Sequence, residues 1–184
     1  MVLVNSVILV RGMLGLSDVA LAWTMFAFGF GSMIAAFVLP RVLDRMADRP
    51  VMLAGAGVMV VVLLILAAAM VAFGLSWPML MAAWLAVGFG YSAVLTPSGR
   101  LLHHSAHAED RPAAFTAQFA LSHASWLLCY PLAGWLMTWF GAVTALLVLA
   151  LVAAFGIITA LRLWPASGTS DLQPCSGHRR SASK

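Results

Sequence analysis

Long apolar stretches alternate along the chain with short interruptions rich in glycine, proline and charge. Apolar runs occupy 19–39, 51–73, 77–96, 113–135 and 143–163. Each is close to the roughly 20 residues that a helix needs to cross about 30 Å of hydrocarbon. The opening stretch 1–10 is apolar too, but it is too short to span and Arg11 ends it. Asp18 and Pro40 bound the first run, Gly74-Leu75-Ser76 separates the second from the third, and Pro97 closes the third. Lipid offers no partner to a backbone N–H or C=O, so each run is expected to satisfy its own polar groups as a helix. The strict alternation of a membrane barrel is not seen. The pattern predicts an all-α polytopic membrane protein with five full transmembrane helices plus a partial one at 1–10. From Pro165 the chain is Ser/Gly/Pro-rich, basic and without periodicity, so 165–184 is expected to be a disordered tail.

Composition agrees with a bilayer as the solvent. Hydrophobic residues make up 63% of the 184 and charged residues 9%, with a mean hydropathy of +1.00. A soluble domain is usually about 45–50% apolar and about 25% charged. The net charge of +4 does not point to nucleic acid, because the basic residues sit beside membrane segments, where they set topology. Arg41, Arg45, Arg49, Arg100, Arg111, Arg179, Arg180 and Lys184 follow the first and third runs or lie in the tail. The interruptions after the second and fourth runs hold no Lys or Arg. The positive-inside rule then places the charged loops and the C-terminus in the cytoplasm. Trp77 and Trp139 fall at the outer ends and Trp164 at the inner end, as an aromatic belt requires. With the first full span entering from outside, 1–10 is expected to be the outer end of a helix truncated at its N-terminus. Cys129, in an apolar run, and Cys175, in the tail, form neither a disulfide framework nor a metal-ligand spacing.

The densest charge in the first half is Pro40-Arg-Val-Leu-Asp-Arg-Met-Ala-Asp-Arg-Pro-Val-Met-Leu53. Read by charge alone, it is a solvated loop with topogenic arginines. Its order of residues resembles the loop signature of the major facilitator superfamily, Gly-x-x-x-Asp-Arg-x-Gly-Arg-Arg. Asp44 and Arg45 match the central pair, and Arg49 falls at the second basic position. Pro40 and Ala47 stand where the glycines would, and Asp48 where a basic residue is usual. Two further segments carry the resemblance. Gly88-Phe-Gly90 has the spacing of a glycine pair that follows an embedded arginine in the family's N-terminal half, with Trp84 at the arginine position. Pro131-x-x-Gly134 resembles a kinked helix motif. Glycines at such spacing also serve close helix packing, and a proline kink can be without function.

The resemblance implies residues 1–164 as the C-terminal six-helix half of a transporter, helices 7–12, with the seventh cut short. It implies a permease, not an enzyme, moving a small solute by alternating access in a bacterial-type inner membrane. The missing N-terminal six-helix half is its expected partner. It also implies that Asp44, Arg45 and Arg49 form a conformational latch, a carboxylate meeting a helix N-terminus and nearby arginines. The other reading is a small integral membrane protein acting as an interaction or assembly partner.

Candidate chemistry within the spans is sparse. Gln118, Ser122, Ser125 and Cys129 recur along one helix face, with His123 at its edge. An ionisable group at membrane depth is costly, so His123 is either a proton or substrate group or a neutral ring bonded to a carbonyl or serine. Tyr91 supplies an aromatic hydroxyl on the third run, beside Gly88, Ser92 and Leu95. In the first run Thr24, Phe28, Gly31 and Ala35 give a small-and-polar stripe, either a packing seam or a cavity lining. No run contains Asp or Glu. His103, His104 and His107 are spaced as a metal could use, but a solvated loop is the plainer reading, and no cofactor motif is present.

Overall fold

The computed structural model describes residues 2–105 and 111–163. The tail from 164 onward, His107, Glu109 and Asp110 lie outside them, as do the side chains of His103 and His104, so the disordered-tail and histidine-cluster expectations fall outside the described residues. Every element is helical: α1 (Val2–Val7), a π-helical turn (Ile8–Met13), α2 (Asp18–Leu43), α3 (Asp48–Phe73), α4 (Trp77–Ser105) and α5 (Arg111–Leu163).

Several predicted boundaries move. Pro40 and Pro97 were expected to close their runs, yet both lie inside helices, and α4 continues to Ser105. A proline removes one backbone donor and crowds the carbonyl one turn back. Pro97 is nonetheless fully buried, and packing carries α4 through it. Much of the charged segment 40–53 is therefore helix end, and the connection between α2 and α3 is only Asp44–Ala47. Arg41 in the last turn of α2 and Asp48 in the first turn of α3 each oppose the partial charge of their helix terminus.

The count of spans changes as well. Among the described residues four helices, not five, are long and apolar enough to cross a membrane, because α5 takes in both of the last two runs. The break within it is a single residue, Gly141, at φ 81 and ψ 169. That left-handed φ suits glycine, which has no Cβ to clash. It separates residues 111–140 from 142–163. The short opening run is not a plain helical stub. Its α-turn relaxes into π geometry and closes on Leu14 N–H and Leu16 N–H, which donate to the carbonyls of Leu9 and Val10.

α4 is the central helix, and its glycines explain why. Residues two apart on a helix point about 200° away from each other, so Gly88 and Gly90 face different neighbours. A methyl group on Gly88 would overlap the Phe28 carbonyl of α2, and one on Gly31 would overlap the Leu85 carbonyl of α4. On the other side, a methyl group on Gly90 would come 2.8 Å from the Gly55 carbonyl oxygen of α3, and one on Gly55 2.7 Å from the Ala93 Cβ. The stripe on α2 is thus a seam: Thr24, Gly31 and Ala35 are buried. Polar bonds lock the register. Ser32 Oγ donates to the Gly88 carbonyl at 3.0 Å, and the Trp77 indole N–H donates to Thr24 Oγ1 at 3.1 Å. Trp84, fully buried, donates its indole N–H to Ser6 Oγ and pins α1 to the bundle.

The packing is uneven along the bundle axis. The main cluster, including Leu9, Leu66, Leu80, Trp84, Met137 and Leu146, gathers around the ends that carry Gly74 and Gly141. Only a small cluster of Ala35, Leu39, Leu43, Val51 and Ala93 lies toward the charged turn. Along α5 no residue from 112 to 132 is buried, whereas Ala133, Leu136 and Met137 are. The helices are tied together at one end and separate toward the other.

The glycine seams make a sharp expectation. Gly31→Ala and Gly88→Ala should each destabilise by about 1–3 kcal/mol or more, the usual cost of overpacking. Gly57→Ala, in α3 with no atom within 4 Å of the added methyl, should stabilise by about 0.5–1 kcal/mol. Unfolding midpoints in mixed detergent micelles would rank the three.

Candidate functional site

Where the helices diverge, a cleft of about 660 Å³ opens between α4 and the first segment of α5. α4 contributes Tyr91, Leu95, Ser98 and Gly99. α5 contributes the rings of Phe115, Phe119 and Trp126, together with Thr116, Gln118, Ser122 and His123. The four side chains singled out for substrate or proton binding, Tyr91, Gln118, Ser122 and His123, all lie on this one cleft. From Tyr91 to Gly99 and from Phe115 to Trp126 the walls run roughly 12–16 Å at 1.5 Å per residue. That is about half a bilayer's hydrocarbon core, starting from the end that holds the charged turn.

The face of α5 that lines the cleft is not quite the polar stripe read from the sequence. Ser125 and Cys129 are outside it; Phe115, Phe119, Ser122 and Trp126 run down its middle. The Ser125 hydroxyl donates back to the Leu121 carbonyl at 2.9 Å. Counting polar residues shifted the face by part of a turn, because the lining is mainly aromatic. The signal was present in the sequence as Phe119, His123, Trp126 and Tyr130 at successive helical spacings. Their rings form a tilted ladder, with centroids 3.9, 5.0 and 6.2 Å apart in turn.

His123 Nδ1 lies 2.9 Å from the Phe119 carbonyl oxygen. A carbonyl only accepts, so Nδ1 carries a proton in this contact, and Nε2 is the nitrogen that would accept in the neutral form of the ring. This is the carbonyl-bonded histidine that the sequence left as one alternative, and the same ring also lines the cleft. Thr116 and Ser98 donate to the Pro112 and Leu95 carbonyls, at 2.8 and 2.7 Å. On the opposite wall the Tyr91 ring rests against Phe28 of α2, centroids 5.9 Å apart.

The charged turn is arranged differently from the expected latch. Asp44 and Arg45 are exposed and form no ion pair among the described residues. Arg49 reaches across the bundle, and its guanidinium donates to the Leu161 carbonyl in the last turn of α5 at 3.4 Å. A cation there opposes the negative end of the helix. The ion pair of this region is Asp48 with Arg100, at 3.8 Å. Asp48, which departs from the family pattern, therefore ties the start of α3 to α4 beside the cleft residue Gly99. Pro131 and Gly134 keep helical backbone angles, and the non-helical residue of α5 is Gly141.

A family model described as Major Facilitator Superfamily matches residues 1–176. The chain belongs to the major facilitator superfamily. This is a transporter family, and it accounts for a helical chain of membrane-crossing length. No curated protein and no solved structure matches the chain. Within this major facilitator member, Trp84 is no substitute for an embedded arginine in a cavity. It is a buried packing residue that holds α1. Gly88 and Gly90 are the contact points of two helix seams.

The tautomer of His123 is open to direct measurement. Nitrogen-15 spectra of the ring in lipid should show a protonated Nδ1. An unprotonated Nδ1 would exclude the bond to Phe119.

Proposed function

We propose that this chain forms the C-terminal helical half of a solute permease and that the cleft between α4 and α5 is its part of the translocation path. The observation that carries this reading is the cleft itself. It joins Tyr91, Gln118, Ser122 and His123 at membrane depth, at the end where the bundle is loosest. Alternating access rocks one half against the other around a site between them, and the cleft gives this half a wall for such a site. With α5 counted as two crossings about Gly141, the chain has five full spans and the short α1 element. A complementary six-helix half would face the cleft, the bilayer would surround the rest, and a small solute would pass between. The positive-inside rule favours the Asp44–Ala47 turn and the C-terminus on the cytoplasmic side of a bacterial inner membrane. In that orientation the cleft opens inward, and the Asp48–Arg100 pair and the Arg49 contact brace its cytoplasmic rim.

Filling the cleft tests the reading. Ser122→Trp, expressed with the complementary half, should reduce solute uptake into vesicles by about tenfold or more, equivalent to roughly 1.4 kcal/mol. Leu127→Trp, at an exposed position of the same helix outside the cleft, should leave uptake intact. Equal uptake by both variants would remove the cleft from the path. The role of His123 has its own measurement, the pH dependence of uptake. His123→Ala and His123→Gln should both abolish the pH dependence if the ring relays a proton, and unchanged coupling in both assigns it to positioning alone.

A further inference from the structure

Resting on the reading of this cleft as a solute site, we infer that its ligand is an uncharged, flat aromatic molecule bearing one or two hydrogen-bonding groups. The walls decide the class. No Asp, Glu, Lys or Arg lines the cleft among the described residues. The nearest cation in sequence, Arg100, is engaged with Asp48. Among the described residues a charged solute would find no counter-ion on this wall, and losing its hydration there is costly. The cleft is also poorly equipped for a polyol. The Ser98 and Thr116 hydroxyls donate to backbone carbonyls and remain to a ligand as acceptors only. The groups that can donate to a ligand are the Tyr91 hydroxyl, the Gln118 carboxamide and the Ser122 hydroxyl, and His123 Nε2 is a further acceptor in the neutral ring.

What the cleft offers in quantity is ring surface. Phe119, His123 and Trp126 are stacked along one wall, tilted by 35° and 44° from ring to ring. Tyr91 stands on the other wall, held by Phe28. At a centroid distance of 3.9 Å Phe119 and His123 cover one another's faces, so the ladder offers a planar partner ring edges for edge-to-face contact, whereas a cation cage needs ring faces gathered around one point. The volume of about 660 Å³ lies within the range of sites for drug-sized ligands. A planar ring system between the ladder and Tyr91 would place its polar substituent against Ser122 or His123 Nε2, which in the neutral ring accepts a hydrogen bond from a hydroxyl or N–H.

The test uses the full chain in phosphatidylcholine nanodiscs, with equilibrium dialysis against 2-naphthol and subtraction of uptake by empty discs. Saturable binding of about one molecule per chain is expected, as a single pocket allows. Trp126→Ala and Phe119→Ala should each weaken it by about tenfold, the loss of a ring contact and its buried area. Trp126→Phe should retain binding, which separates loss of the ring from loss of the fold. Trp139→Ala, at an exposed tryptophan outside the cleft, should bind as the parent does. Tetraphenylphosphonium, 2-naphthalenesulfonate and maltose are run in parallel as cation, anion and polyol. Tighter binding of any of these, sensitive to Trp126→Ala, overturns the ligand class and leaves the cleft as a solute site. Binding of 2-naphthol that is indifferent to both alanine variants overturns the class as well. Failure of all four probes to show saturation sensitive to Trp126→Ala overturns the cleft reading along with it.

Discussion

The bundle depends on α2 and α3 coming so close to α4 that no side chain fits at the crossings, and that constraint falls on four glycines. Gly31 and Gly88 bring α2 and α4 into backbone contact, and Gly55 and Gly90 do the same for α3 and α4. In lipid there is little hydrophobic drive for one helix to prefer another, so close backbone approach and a few polar bonds must supply the specificity. Here the polar bonds follow from the glycines. The Ser32 hydroxyl reaches the Gly88 carbonyl because the two backbones are already in contact. Trp77 and Trp84, two turns apart on α4, then fix α2 and α1 against the central helix.

With α2, α3 and α4 joined in this way, the site is placed by what is left over. Residues 142–163 of α5 pack into the main core through Ala145, Leu146 and Ala150, and Arg49 meets the last turn at Leu161. The segment 112–132 has no buried residue and stands off from α4. The cleft is the space between a tightly held helix and a loosely held one, lined by whatever faces that space. Its aromatic character is therefore a property of one face of α5, with Tyr91 and its neighbours on α4 completing it.

Much of this was legible in the sequence, and the parts that were not have physical causes. The apolar runs gave the helices, since segment length against bilayer thickness is a strong constraint. Tyr91, Gln118, Ser122 and His123 were picked out as rare polar groups at membrane depth, and they share one cleft. The aromatic members were missed because Phe and Trp are unremarkable in a span, and only the neighbouring helix shows which rings face it. Proline was over-read as a terminator at Pro40 and Pro97: Pro97 is buried, and packing there outweighs the loss of one backbone bond, whereas exposed Pro40 sits in the last turn of α2, which ends at Leu43. The break between the last two runs, expected between 135 and 143, is made by one glycine, Gly141. Asp48 looked like a departure from a motif; its partner Arg100 is 52 positions further along the chain, and pairing at that separation is invisible to a linear reading.

The change in burial at Ala133 gives α5 the mechanics of a lever. Beyond that residue the helix is seated in the core; before it, the helix is free of the core, with Pro131 beside the boundary removing one of the bonds that stiffen it. From Pro131 to Phe115 the arm is about 24 Å, so a swing of only about 10° would carry Phe115 through roughly 4 Å, on the order of one ring thickness. The ring ladder travels with the arm as a unit, because it belongs to a single helix. Cleft width can therefore change without rearranging the wall that a ligand would touch, and the nearer a ring is to the fulcrum, the less it moves.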